Sequence, residues 1–596
     1  MGDADMRDDA DEREVKPIPP GTFGFGFPGN VSRRALLAGG GAAALTALLA
    51  ACGDDDDSVT ATTGGATTAA PAVTAGSSTT AGSDTTEGGS TATTSGGTET
   101  RSGGSAAPEA TVETITIGLQ SLQEQYVDPH FAVGGLIFPL LWAISDTLYR
   151  LDEEAQYVPG LATGYEVSAD KLTWTFTLRD DVMMQDGTKF TAADVKTAVD
   201  RIVAGADFTH LATFKSYVTG ATVVDDTHVQ VMTNKPYATL VADMPAPIPT
   251  AYYNQVGDAE FRKTPMAAGA WKFVSQALNA DVRYERFEDY WDASRKPNFK
   301  KLVFRIVPDE SSRVAGVKTG DLDIAYGLTA AAATQFEGDD AFKIVETKGT
   351  GIAYLMAIDN VFPDQDSPLK NLDVRKALTM AVDREGIAKS LYGGYAEVAN
   401  SPIPSVMLGY DPDAKPLPYD PDGAKDLLAK AGAAGLTLTL NSYNATSTIP
   451  DVQKLAETVA SLWKAIGINV TLNLADSGTI LPAWRAKQLH GAGIIGGPVY
   501  FYYEPSRLTL SFFSTIAAYT TVSDPELDAL ADAINQETDK DKRTELGGQL
   551  TTLLTDKMWG NGLVVVSSLS VSGKNVASWT TMKGNPYAVV AWLRAK

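Results

Sequence analysis

The chain has 596 residues but one cysteine and four histidines. A single thiol excludes a disulfide framework and a thiolate metal cluster. His130, His210, His228 and His490 are well apart, with no ligand spacing for an imidazole zinc site. Bases are also scarce, 49 against 73 acids, for a net charge of -24. A nucleic-acid binder needs clustered Lys and Arg, so that class is set aside. The sequence has no GxxxxGK[ST], HExxH, CxxC or GxSxG motif. A literal GxGxxG at Gly24–Gly29 follows no strand and opens no helix, so it lacks the setting for dinucleotide binding. Paired acids for glycoside hydrolysis cannot be picked out among so many carboxylates. What is present is 44% hydrophobic and 20% charged residues, enough to build sizeable cores in several domains.

The first hundred residues read as address and tether. Arg33-Arg34 precede a charge-free, Gly/Ala-rich run over 35–51, too short and too weakly apolar for a comfortable bilayer span. Paired arginines before such a run resemble a twin-arginine export signal. Residues 1–30, however, carry seven acids and three bases, where such leaders are usually positive. The run ends Leu49-Ala50-Ala51-Cys52, which resembles a bacterial lipobox with Cys52 as the lipidated residue; the alternative is a buried free thiol. Asp54 to Asp57 follow, and then a tract in which 44 of the 53 residues from Ser58 to Ala110 are Ser, Thr, Gly or Ala. Such a segment cannot bury enough apolar surface to offset its ordering entropy, which predicts a flexible leash over 52–110.

From residue 111 the patterning is α/β. Strict alternation over 112–117 and 172–178 predicts two half-buried strands. Thr191-Ala192-Ala193-Asp194 opens a helix, and residues 221–232 form a hairpin turning at Asp225-Asp226. A strand at 436–440, a helix from Asp451, a left-handed stop at Gly467 and a strand over 468–474 make a βαβ unit, hence parallel strands. Strand-rich stretches before 290 and βαβ patterning after 430 predict two unlike lobes.

Four ordered blocks carry a resemblance. They are Ser145-Asp146-Thr147-Leu148-Tyr149 running on to Thr191-Ala192-Ala193-Asp194, Asp289-Tyr290-Trp291 with Gly320-Asp321-Leu322-Asp323-Ile324, Asn371-Leu372-Asp373-Val374-Arg375-Lys376-Ala377-Leu378, and Ser523-Asp524-Pro525-Glu526-Leu527-Asp528. With them the body resembles the family 5 solute-binding proteins of bacterial ABC importers, the oligopeptide- and dipeptide-binding type. One departure is Gly269-Ala270-Trp271, where the family commonly has Gly-Pro-Tyr. The blocks themselves read as structural: Asp373 opens a helix with Val374, Ala377 and Leu378 inward, and Arg375 pairs with a structural acid rather than ligand.

The resemblance implies an α/β, two-lobed periplasmic-binding-protein-like clamshell of type II with an extra inserted subdomain. Lobe I would comprise 111–160, 264–350 and 560–596, with 161–263 inserted, and lobe II 351–559. It further implies capture of peptides or other small solutes rather than catalysis, without cofactor or metal. Delivery would be to an ABC permease with its ATPase subunits. The protein would be a monomer on the outer face of the cytoplasmic membrane, held there only through its lipid.

Peptide-binding members commonly hold the ligand's α-amino group with an acid after a Gly/aromatic-rich stretch. Here Gly496 to Glu504-Pro505 matches that stretch, one methylene longer than the usual Asp-Pro, so the resemblance assigns Glu504 to the amine. Tyr500 and Tyr502 on one side of the extended segment, Trp484, and Tyr126 in the loop after the first strand are the other candidate lining residues. Each aromatic has core packing as its alternative. An exported hydrolase on a similar scaffold, or the same fold holding a sugar, nickel chelate or opine, are the competing readings.

Overall fold

The computed structural model describes residues 108–596 apart from 122–125, 132–136, 206–207, 209–210, 363–364, 445–448 and 500–502. The export signal, Cys52, the leash and the Gly24–Gly29 motif lie outside the described residues.

Alternation sets the first strands. Thr114–Leu119 is parallel to Lys301–Ile306 and to Ile324–Leu328. In Thr173–Leu178 the inward residues Trp174, Phe176 and Leu178 are buried while the threonines between them are half-buried. The helix Ala192–Ala204 begins where the Asp194 carboxylate accepts the Thr191 backbone N–H at 2.8 Å, satisfying a donor at the helix start. Val218–Asp225 and His228–Thr233 form the expected hairpin. Thr437–Tyr443 and Asn469–Ala475 are parallel on either side of the helix Val452–Ala465, and Gly467 has φ of 92°.

Among the described residues an eleven-stranded mixed sheet runs through the molecule, and a separate four-stranded antiparallel sheet lies beside it. The large sheet holds together two bodies because two of its strands are long. Lys343–Ala357 and Gly560–Ser572 pair antiparallel along their length, with a register shift between Thr347 and Gly351. Gly349 sits in that shift at φ of 70°, a conformation that costs other residues about 1 kcal/mol or more. On one side of it Val345 joins a core with Ile115, Trp271 and Leu593. On the other, Ile352 to Ile358 join a larger core spanning Ile352 to Val566.

Leu563, Val564 and Val566 pack in the larger core, while Leu569 and Val571 pack against Val314 and Phe336. The four-stranded sheet has its own core, which also draws in Leu148 before the expected insertion at 161–263 and Ala268 after it.

Arg375 differs from expectation. Among the described residues it pairs with no acid: its Nε and Nη2 donate to the Lys557 carbonyl at 2.9 and 2.6 Å, and its Nη1 donates to the Leu369 and Lys370 carbonyls. The helix Lys540–Lys557 ends at Lys557, so Arg375 satisfies an orphan carbonyl there and places its charge at the negative end of the helix dipole. Burial holds its guanidinium down to about 10.

Candidate ligand-binding cavity

A cavity of about 320 Å³ is lined from both bodies, a volume within the range of small-molecule sites. Its first wall is the short helix Phe138–Ile144, started by Pro139 and offering Phe138 and Trp142 one turn apart, their rings stacked at 5.5 Å. Ser145 closes that helix by donating to the Leu141 carbonyl, and the next residue, Asp146, turns into a polar cluster. Asp146 Oδ2 accepts from the Tyr290 hydroxyl at 2.8 Å and from the Trp291 indole at 2.9 Å. Burial first, and then the charge of Asp146, push the Tyr290 phenol well above its ordinary range, so it remains a donor. Two separate sequence blocks, 145–149 and 289–291, thus meet at one carboxylate.

Arg150 completes the cluster. It pairs with Asp292, stands 3.9 Å from Asp146, and lies over the Trp291 ring at 4.7 Å. Arg295, also in the wall, donates to the Leu151 carbonyl at 2.9 Å and lies over the Trp592 ring at 4.6 Å.

The opposite wall comes from the larger core. The strand Ala492–Pro498 carries the chain to Tyr503, Glu504 and Arg507 at the start of the helix Pro505–Ser511. Gly496 is obligatory in that strand, since a Cβ there would stand 1.8 Å from the Ile352 carbonyl oxygen. Glu504 is buried and held on both oxygens by Arg543, Nε to Oε2 at 2.9 Å and Nη2 to Oε1 at 3.2 Å. Arg507 pairs with Asp243 of the other lobe, and Asp243 also accepts from Tyr237 and Thr239 at 2.6 and 2.7 Å. Tyr157 faces this wall; burial pushes its phenol up, and it feels the charges of both Arg507 and Glu504.

Of the residues singled out from sequence, Glu504 lines the cavity. Tyr126 is half-buried and outside the lining, although Pro129 and His130 of the same loop are in it. Trp484 is 2% exposed in the larger core, stacked on Phe512 with its indole donating to the Thr520 carbonyl at 3.2 Å. Tyr500 and Tyr502 lie outside the described residues. Asp146, Arg150, Asp243, Arg295 and Arg507 were missed. Asp146 stood in a block read as a mark of fold, and nothing in the local pattern distinguishes the arginines from surface cations.

Four-stranded sheet, bridging ribbon and interlobe cavity together define a two-lobed binding protein of mixed α/β class. The model of the bacterial extracellular solute-binding proteins, family 5 Middle, matches residues 156–517. The chain belongs to that family, whose members are extracellular proteins that bind solutes. It is similar to the dipeptide-binding protein of Escherichia coli strain K12, 27% identical over 439 residues that cover 67% of this chain and 79% of the relative. The fold is shared with the ABC transporter-associated periplasmic binding protein DppA from Helicobacter pylori in complex with peptide STSA, at TM-score 0.64 and 20% identity over 81% of this chain and 97% of that one. NikA from Brucella suis in complex with Fe(III)-EDTA aligns at TM-score 0.70 and 20% identity, over 81% of this chain and all 100% of the other.

Proposed function

We propose that the protein captures peptides or peptide-sized solutes between its two lobes and hands them to a membrane permease driven by ATPase subunits, itself anchored by a lipid on Cys52. The observation that carries this reading is the cavity of about 320 Å³ walled by both cores, with acids and bases at its rim. A ligand touching both walls stabilises the closed form over the open one by its differential contacts. Exclusion of water then strengthens each charge-assisted hydrogen bond inside. The leash over 52–110 keeps the captured solute at high effective concentration near the permease.

In this reading Glu504 receives the ligand's ammonium as a further partner, since each carboxylate oxygen has a second lone pair beyond the one used by Arg543. Tyr126, Tyr500 and Tyr502 would add ligand contacts, and Trp484 supports the wall through Phe512. Capture rather than chemistry is the role, with no cofactor. The dipeptide-binding relative makes peptides the first class to test.

Native mass spectrometry of the purified protein, before and after partial unfolding, checks this directly. A ladder of released peptide masses is expected. A single non-peptide mass would leave capture standing and sink the peptide assignment. No released mass, together with no thermal shift from peptides, sugars or metal chelates, would overturn capture itself; at about 100 times its dissociation constant a ligand adds about 2.7 kcal/mol.

A further inference from the structure

We infer that His130 is an acid-sensitive latch in the cavity wall: a proton on its ring unseats the segments 128–131 and 244–246 and releases the solute. The inference rests on the capture reading and adds the condition that reverses capture.

Hydrogen bonding keeps the imidazole neutral. His130 is 1% exposed and uses both ring nitrogens. Arg201 Nη1 can only donate, so at 3.0 Å it takes the Nδ1 lone pair, and the Nε2–H donates to the Ala246 carbonyl at 2.7 Å. A proton can enter only at Nδ1. There it replaces an acceptor by a second donor and sets two cations against each other.

The surrounding charges balance before that proton arrives. Arg201 holds Asp128 on its two Nη groups and Asp258 on Nε at 2.7 Å. Arg262 pairs with Asp258 at 2.8 Å and stands 3.8 Å from Asp128. Among the described residues this is two acids against two arginines. Both Asp128 oxygens are already engaged, Oδ1 also by the His130 backbone N–H at 2.9 Å. Burial pushes the Tyr253 phenol, whose ring lies against Arg201, above its ordinary range, so it stays neutral. Phe208, edge-on to the imidazole, brings no charge. Asp243, three residues before Ala246, is taken up by Arg507, Tyr237 and Thr239. An imidazolium is therefore a buried, unmatched charge.

Position makes that charge matter. Pro129, His130, Met244, Pro245 and Ala246 all line the cavity, and the bond from His130 to Ala246 ties their two segments together. Histidine is the side chain that ordinarily changes charge between pH 5 and 8. His228 and His490 are largely exposed and outside the lining.

The experiment is nitrogen NMR of the whole protein labelled at histidine, without ligand, from pH 7.5 to pH 5. Calorimetry with a set of free dipeptides runs over the same range on the unaltered protein, His130→Gln and His130→Asn. The His130 signals, identified by their loss in the variants, should show the Nε2–H tautomer at pH 7.5 and protonation above pH 5. Dipeptide affinity should fall about tenfold per pH unit below that titration, and the neutral variants should lose this dependence. If no dipeptide binds at pH 7.5, the peptide reading falls; protonation with faster amide exchange over 128–131 then keeps the latch, and protonation without it overturns the latch. An imidazole still neutral at pH 5, the opposite tautomer at pH 7.5, an affinity indifferent to pH, or an acid loss retained in both variants each overturn it. Should neither variant fold, the titration and affinity of the unaltered protein decide.

Discussion

Asp128 shows how differently two ion pairs in one chain can matter. It is fully buried and accepts both Nη groups of Arg201, at 2.7 and 2.6 Å. Because Arg201 only donates, its 3.0 Å contact to His130 Nδ1 makes that nitrogen the acceptor and sends the His130 Nε2–H to the Ala246 carbonyl at 2.7 Å. Removing the carboxylate leaves the buried guanidinium, among the described residues, with only Asp258, at 2.7 Å from its Nε, so Asp128→Ala should cost about 3 kcal/mol in urea unfolding. Glu113→Gln, which breaks an exposed pair with Lys300, should leave the urea midpoint almost unchanged. Burial raises the Asp128 carboxyl, but the hydrogen bonds and charge of Arg201 outweigh it and leave the pKa below its ordinary 3.8. The stabilisation is therefore complete above that value and lost as the pH falls through the lower folded one. Acid unfolding of Asp128→Asn should lack this component, and a transition as steep as that of the unaltered protein would contradict it.

At the scale of elements, the site depends on how strands and helix ends are held. The strand Ala492–Pro498 pairs antiparallel with Lys343–Ala357 and parallel with Thr437–Tyr443, and so fixes where Glu504 emerges. Gly496→Ala would force a backbone shift against Ile352, costing about 1–3 kcal/mol. Ligand affinity should fall with it, measured by titration on the folded fraction. Arg375 ties the end of the helix Lys540–Lys557 to the turn Pro368–Lys370 through carbonyls alone. Arg375→Lys should be destabilising by about 2–4 kcal/mol despite keeping the charge, because a single ammonium cannot span four bonds to three carbonyls. Full stability of the lysine variant in a melting experiment would refute that account.

At the scale of the whole molecule, closure across the cavity is the property that matters. Among the described residues the polar contacts that span it include Arg507 to Asp243, the Tyr503 hydroxyl to the Lys583 carbonyl at 2.8 Å, Lys171 to Glu537 at 3.0 Å, Lys540 Nζ to Gln156 Oε1 at 3.4 Å, and the Ala238 N–H to the Asn535 carbonyl at 3.3 Å. The Lys171 pair is half-buried, and Arg507 and Asp243 are somewhat more enclosed. Arg507→Gln should therefore weaken the closed form by about 1–3 kcal/mol while leaving each lobe's core intact. Small-angle scattering should show a more open ligand-free average, and stopped-flow should show faster ligand release with an almost unchanged urea midpoint. A lowered midpoint with unchanged release would mean that the pair supports folding instead.

Local patterning by itself determined the elements and the class of fold. Alternation in Thr173–Leu178, the cap at Thr191–Asp194, the turn after Asp225 and the βαβ unit around Val452–Ala465 are short-range consequences of side-chain direction and turn chemistry, and they are legible in a few residues each. Ordered blocks extended this to the family. Tertiary structure alone decided which charges face the solute. Asp146 and Tyr290 are 144 positions apart, and Arg507 and Asp243 are 264. Glu504 was legible as a position after a Gly-rich strand, but its engagement by Arg543 was not. Arg295, Arg375 and Arg543 look alike in sequence. One stands in the cavity wall and donates to the Leu151 carbonyl, one makes four bonds to three carbonyls and one meets a carboxylate, because long-range packing chooses the partner of a long, flexible cation.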